Sequence, residues 1–346
     1  MYSAQFKLEA LTPIFMRGAD QSKAEIRASS IKGLMRWWFR ALAGSYFGDD
    51  VEGLRGAEEY VFGSTKRRSK VVVEIAEIKG GLRSFDEQKP ADQLRYLWFS
   101  VNLLARKGEM KFYYPSGTKF TIVVKSSDEE SFNIVLASLW ALVSLGGMGF
   151  RNRRGAGSLK FSGGDLGLLE ELSLKHRFSK VEDFRNSILS AIKIAGSKFG
   201  RGLKNVQPQP YPILSENTSS VSLWDARTSN PIQALRNFQG RYQRFRKSEI
   251  NKRDRIIFGL PMDLRGRGTR EIQDVLEVIK NERRGSPMHI GITHIGSRVY
   301  VRIVKFRTEP FHPDGDLNNL ASWRTLGRLN ASMREISVFG SLEVFK

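Results

Sequence analysis

The hydrophobic period of this chain switches five times between residues 5 and 145. Gln5–Leu11 alternates, with Phe6, Leu8 and Ala10 on one side and Lys7 and Glu9 on the other, the pattern of a half-buried strand. Ile31, Leu34, Met35, Trp38 and Leu42 then recur at helical spacing from a Ser29 or Ser30 cap to about Ala43. Val71–Ile78, rich in β-branched residues, reads as a strand. Leu94–Leu104 reads as a helix, Phe120–Val124 as a strand and Phe132–Leu145 as an apolar helix. Strands and helices in this alternation pack as layers, so the first half predicts an α+β, βαββαβ unit with one helical insertion.

The second half is more irregular. Val181–Ile194 predicts a helix, and Lys198–Pro212, with its Gly, Pro and Gln, a loop. Asn230-Pro231 reads as a cap and first-turn proline for a helix over Ile232–Lys247. Beyond it come a short strand over Ile256–Leu260 closed by Pro261, a Gly/Arg loop over Leu264–Arg270 and a helix over Glu271–Ile279. Met288–Ile295 and Arg298–Phe306 form a hairpin turning at Gly296-Ser297, and Leu317–Leu329 reads as a helix.

The charge balance narrows the partner. Fifty-six Lys plus Arg stand against 36 Asp plus Glu, a net +20. A folded chain with this much self-repulsion fits a polyanion: nucleic acid, a membrane surface or an acidic protein. The chain has no cysteine, which excludes disulfides, cysteine-ligated zinc and thiol catalysis and fits a cytoplasmic location. Its four histidines, His176, His289, His294 and His312, include no i, i+4 pair of the kind that holds zinc, so no metal or other cofactor is expected. No signal-peptide pattern opens the sequence and no apolar run reaches membrane-spanning length, so no membrane partner is expected. Nor does any pattern point to a small-molecule substrate.

Three stretches concentrate the positive charge. Lys32, Arg36 and Arg40 form a basic stripe on the first helix, either a solvated face or a track for something anionic. Lys66–Lys70, with Arg67 and Arg68, is a basic run in a loop. From Arg236 to Arg255, eight basic residues interleave with Phe238, Tyr242 and Phe245, aromatics that at this spacing read as a buried face rather than as stacking platforms.

Gly146–Leu159 is the most unusual segment: five glycines bracket Arg151, Arg153 and Arg154, with no acid. Glycine permits close backbone approach and arginine offers planar donors to phosphate, so the loop is suited to lie along a sugar-phosphate backbone. The alternative is a structural glycine hairpin. A nucleotide-binding P-loop does not fit, because the segment lacks the Lys-Ser/Thr ending and follows a helix.

Several motifs together resemble one family. Leu11-Thr12-Pro13-Ile14-Phe15, Gly18-Ala19-Asp20-Gln21 and the run from Ile26-Arg27 through Ser30-Ile31-Lys32-Gly33-Leu34-Met35-Arg36 to Leu42 resemble the opening of the RAMP superfamily, the repeat-associated RNA-binding subunits of CRISPR systems. The Trp37-Trp38 pair and the Gly18-Ala19-Asp20-Gln21 segment narrow the resemblance to the first RAMP subunit of type III-B Cmr effector complexes. Gly147–Leu159, Phe258-Gly259-Leu260-Pro261 and Arg283–Ile290 resemble later motifs of that subunit, so the likeness spans about residues 6–305.

The resemblance implies two tandem ferredoxin-like (RNA-recognition-motif-like) domains, divided here as 1–165 and 166–346. It implies a non-catalytic subunit that contacts single-stranded CRISPR RNA or target RNA near the guide 3′ end and touches neighbouring RAMP subunits. The residues expected to meet RNA are Arg27, Lys32, Arg36, Arg67, Arg68, Arg151, Arg153, Arg154, Arg283, Arg284 and His289, with Gly147, Gly149, Gly155 and Gly157 shaping the loop. Two other readings stand beside it. One is a metal-independent endoribonuclease using His289, His294 and Tyr300, although 289 and 294 differ in strand parity and so face opposite sides. The other is a basic scaffold protein with no guide RNA.

Overall fold

The structure, a computed structural model, describes residues 1–20, 23–86, 92–250, 253–259, 284–311 and 322–345. The first half runs β1 (Tyr2–Ala10), α1 (Ala28–Phe47), α2 (Val51–Phe62), β2 (Val71–Lys79), β3 (Arg83–Ser84), α3 (Phe99–Arg106), β4 (Phe112–Tyr113), β5 (Lys119–Ser126), α4 (Glu129–Ser144) and β6 (Leu159–Gly164). α5 (Leu166–Glu171) and α6 (Val181–Ser197) follow. The second half runs β7 (Ser219–Asp225), α7 (Pro231–Arg244), β8 (Met288–Ile295), β9 (Arg298–Phe306), α8 (Arg324–Met333) and β10 (Ile336–Phe339).

Each half builds one four-stranded antiparallel sheet. The first has the order β2-β5-β1-β6, the second β10-β7-β9-β8. The alternation read from the sequence of β1 holds: Ala4, Phe6, Leu8 and Ala10 are buried while Gln5 and Lys7 are exposed. The second sheet is buried on both faces. Tyr300, Arg302, Val304 and Phe306 of β9 point one way, toward α1 and α4; Val299, Val301 and Ile303 point the other, into the core that contains Leu235 and Phe238 of α7 and Leu326 and Leu329 of α8.

The helices α1, α4 and α6 therefore form a layer that both sheets share. Trp38 of α1 is packed in one core with Phe6 and Ile122 of the first sheet and with Val304 and Phe306 of the second. Arg302 reaches from β9 to the end of α4, donating to Ser144 O and Gly146 O, each at 2.5 Å. Helices α7 and α8 cover the far side of the second sheet, where Lys305 and Glu335 form a fully buried ion pair at 2.7 Å.

Caps and periods explain most boundaries. Asn230 Oδ1 accepts from Ile232 N and Gln233 N, and Pro231 opens α7, as the sequence implies. Asp128 accepts from Ser131 N and starts α4 three residues before its first apolar residue. α1 begins at Ala28 behind Arg27 with no side-chain cap, not on Ser29 or Ser30.

Several expectations need correction. The apolar run Ile256–Phe258 is a buried 3-10 turn within Arg253–Phe258 rather than a strand, since three apolar residues satisfy either conformation once buried. The helix expected from Leu94 begins at Phe99, and 94–98 form turns. α7 ends at Arg244, and Phe245–Glu249 continues as one π turn. Seven elements were not foreseen: α2, the two-residue strands β3 and β4, the edge strand β6, α5, the central strand β7 with its serines, and β10. The loop over Leu264–Arg270, the helix over Glu271–Ile279, Pro261, Arg283, His312 and the first residues of the helix expected over 317–329 lie outside the described residues; that helix is seen over Arg324–Met333.

Candidate nucleic-acid interface

The glycine-rich loop leaves α4 and folds back on the end of β1. Phe150 N donates to Phe15 O at 2.6 Å, Gly157 N to Pro13 O at 2.8 Å and Met148 N to Gly157 O at 3.0 Å. Thr12 Oγ1 donates to Gly155 O and accepts from Ser158 N. This tight return is what the glycines make room for. At Gly149 (φ +85°) a Cβ would stand 2.7 Å from Phe15 O, and at Gly157 (φ +61°) 1.9 Å from Met148 O. Gly147 abuts the Gly157 carbonyl and Gly155 abuts Leu235. All four glycines thus serve the loop's packing on its own chain.

The loop then ties the two halves together. Ile290 N, on the edge strand β8, donates to Arg153 O at 3.2 Å, and Ile292 N to Ser158 Oγ at 3.1 Å. Trp98 Nε1 donates to Arg154 O at 3.0 Å.

The three arginines of the loop separate into two kinds. Arg154 donates to Phe258 O at 2.8 Å and to Ser286 Oγ at 3.0 Å. Arg153 donates to Ser286 O at 2.8 Å and lies over the Trp37 ring. Both are stitches across the seam between halves. Arg151, at φ +64°, accepts from Arg154 N and Ala156 N through its backbone carbonyl, but its side chain makes no hydrogen bond or ion pair among the described residues, and its buried Nε has no acceptor. Burial and then the Arg154 charge bring it down to about 10, so it stays cationic at neutral pH.

These arginines line a cleft of about 660 Å³. Arg95, Arg151, Arg153, Arg154, Arg246, Lys247, Arg255 and Arg284 converge on it, and no carboxylate lines it among the described residues. The sequence scatters these residues over four segments; the seam between the halves collects them. Arg246 sits among the rings of Tyr96, Tyr242 and Phe258, 5.1–5.8 Å from their centroids. Arg284 lies 3.7 Å over the Phe311 ring and donates to Thr308 Oγ1; burial, then Arg153, lowers it to about 10. Nε of Arg255 and Nη1 of Arg284 are buried without an acceptor among the described residues. Buried donors in this state call for one. Phe99, 58% exposed, stands at the rim.

Such a surface offers donors to several phosphates at once and an aromatic face to a base. Sequence reasoning missed Arg95 and Tyr96, which fall in a turn, and Phe99, which opens α3.

The other expected residues lie elsewhere. Lys32 donates to Ser69 Oγ and Val71 O, both at 2.8 Å, and is lowered by burial and by Arg36. Arg36 and Arg40 both grip Glu58 of α2, at 2.6–2.7 Å, so the stripe on α1 meets an anion within its own chain. Arg27 faces Glu25 at 3.9 Å, Arg67 lies over the Tyr60 ring and Arg68 is exposed. His289 is boxed by Trp37, Trp38 and Phe306; burial first, then the charges of Arg153, Arg302 and Arg154, hold it well below its ordinary value, neutral. Tyr300 is in the core, and His294 lines a different cleft, so the three do not share one acid–base site. Phe238, Tyr242 and Phe245 are buried, as their spacing implies. No cluster of three metal-ligating side chains occurs among the described residues, nor any helix long and apolar enough to cross a membrane.

Comparison with known proteins bears on this architecture. Residues 7–160 match the RAMP superfamily and residues 218–337 the Cmr1-like C-terminal family. The chain is 36% identical over 332 residues, 95% of each protein, to the CRISPR system Cmr subunit Cmr1-1 of Pyrococcus furiosus. The apo crystal structure of Cmr1 from that organism superposes with a TM-score of 0.74 at 34% identity, covering 98% of this chain and 99% of that one. A chain of the type III-B Cmr-beta complex bound to cognate target RNA, seen by cryo-electron microscopy, shares the fold (TM-score 0.55, 16% identity, 88% and 94% coverage).

Proposed function

This chain belongs to the Cmr1 family of the RAMP superfamily, and from that membership we propose that it is a non-catalytic RNA-binding subunit of a type III-B Cmr RNA-guided complex. It contacts single-stranded guide or target RNA near the guide 3′ end, beside other RAMP subunits. The observation that carries this reading is the cleft at the seam, with its convergent arginines and no lining carboxylate. Phosphate neutralisation supplies most of the affinity there, while guide–target pairing carries the sequence information.

Both halves read as ferredoxin-like units, domains 1–165 and 166–346. Supporting this, each runs strand, helix, strand, strand, helix, strand once inserts are set aside. Each also sets its fourth strand beside its first and its third between first and second.

Purified chain in EDTA, titrated with labelled single-stranded RNA across a salt series, tests the proposal. Intact RNA bound with a steep salt slope, and weakened by replacing Arg151 and Arg255 together with alanine, is the expected result. Defined cleavage of the RNA, or binding indifferent to both arginines, would overturn it.

A further inference from the structure

Helix α7 turns a bare cationic face to solvent. No acid occurs between Asp225 and Glu249, a stretch that holds the whole helix. Its inward side belongs to the core, where Ala234, Leu235, Phe238 and Tyr242 are buried. Arg241 is held too, donating to Ser332 O at 2.7 Å. The outward side carries Arg236, Gly240 and Arg244, all exposed and about one turn apart, so the two arginines stand about 12 Å from each other along the axis. Beyond them Lys247, also exposed, lines the seam cleft.

The side chains of Arg236, Arg244 and Lys247 make no hydrogen bond or ion pair among the described residues. By contrast, exposed Arg55 is met by Glu59, Lys175 by Asp183 and Arg185 by Glu216. Like charges along one helix face repel, and here the fold supplies no counter-charge.

Gly240 adds a second, independent observation. Glycine is the poorest helix former after proline. No packing demands it at this position, since no neighbouring group among the described residues lies within 4 Å of where a Cβ would stand. It leaves helix backbone uncovered between two arginines, where another chain can approach closely.

The face also distinguishes between polyanions. Asn237 and Ser248 complete its exposed surface, and α7 exposes no large apolar side chain. A protein partner is anchored by apolar and aromatic contacts, which this face lacks. A sugar-phosphate backbone needs cations at intervals with polar groups between them, which it has. Building on the proposed function, we infer that the RNA strand held in the seam cleft continues over α7. Its phosphates pass from Lys247 to Arg244 and Arg236, and its backbone crosses close above Gly240.

Single-stranded oligoribonucleotides of about four and about sixteen nucleotides, the short one filling the cleft alone, test the inference in fluorescence titrations of the full chain across a salt series. Arg236→Ala with Arg244→Ala, and separately Gly240→Glu, probe the helix; Arg151→Ala with Arg255→Ala probes the cleft; thermal midpoints confirm folding. Both helix variants are expected to leave the short strand unaffected and to weaken the long one. For the double variant the salt slope of the long strand should be shallower by about 1.4, two phosphate contacts at about 0.7 each. The cleft variant should weaken both strands. Either helix variant binding the long strand as the parent does, while the cleft variant still loses it, overturns the path over α7 and leaves the proposed function standing. Equal weakening of short and long strands by the helix variants overturns the path too. Indifference of both strands to every variant overturns the path and the proposed function together.

Discussion

Gly291 lies opposite Arg302 in the β8–β9 ladder, and the Arg302 guanidinium fills the space that a side chain at 291 would take: a Cβ there would be 2.1 Å from Nη2. The guanidinium is turned inward to the last carbonyls of the α4 region, where the helix presents its negative end. Burial lowers Arg302 to about 9, so it remains a cation at neutral pH. One missing side chain on β8 thereby lets β9 fasten to a helix of the other half.

Gly291→Val should displace that guanidinium and leave the Ser144 and Gly146 carbonyls without a donor. The expected loss is about 2–4 kcal/mol of unfolding free energy, overpacking added to unpaired acceptors. Urea denaturation measures it. An unchanged midpoint would mean that Arg302 is not fixed as described.

Arg151 and Arg154 should part company on mutation. Arg154→Ala removes donors to Phe258 O and Ser286 Oγ and is expected to cost about 2–3 kcal/mol of stability. Arg151→Ala removes no bond among the described residues; its stability should stay within about 1 kcal/mol of the parent. Its RNA affinity should fall, with the salt slope shallower by about 0.7 if one phosphate contact is lost. Equal effects of the two substitutions on stability would contradict this division of labour.

Phe99→Ala tests the aromatic rim. Loss of one stacking partner should weaken single-stranded RNA by about 1–3 kcal/mol, and leave duplex RNA, whose bases are already stacked, unaffected. Parallel filter-binding titrations with both forms report the difference.

Acid should destabilise the protein through His289. Its folded value lies well below 6.5, so below pH 6.5 the unfolded chain takes up a proton that the folded chain refuses. Stability is full above that pH and falls as pH drops, by up to about 1.4 kcal/mol per pH unit for this group, until the folded value is reached. His176 and His294 are lowered too and add in the same sense. His289→Phe, an aromatic for the same box, should flatten the profile; an identical slope would show that His289 is protonated in the fold.

Glu58→Gln should free Arg36 and Arg40 from their shared carboxylate. Glu58 is almost fully buried, so about 1–3 kcal/mol of stability is expected to be lost, read from thermal melts in low and high salt. A melt indistinguishable from the parent would make this pairing a surface ornament.

The sequence made the fold legible where period and burial agree. The stripe from Ile31 to Leu42 has one solution, a helix with its apolar side inward, and the structure has it. β7 was opaque because its core positions alternate with Ser220 and Ser222, small enough to be buried in a central strand yet reading as loop. The glycine loop was conspicuous in sequence, but spacing alone does not say what approaches a glycine; at Gly149 and Gly157 it is the chain's own backbone. The cleft was half legible. Arg151 and Arg284 stood out from their neighbours, whereas Arg95 and Phe99 gain meaning only when β8 and the glycine loop bring their segments together.

The shared layer of α1, α4 and α6 has a mechanical consequence. Two sheets clamped on the same helices have no hinge between them, since opening one against the other would tear the core that holds Trp38, Phe6 and Phe306. The seam cleft is therefore a fixed gauge rather than a jaw. On the proposed function, a strand that enters it must conform to the protein, and the spacing of its arginines would set that strand's backbone path.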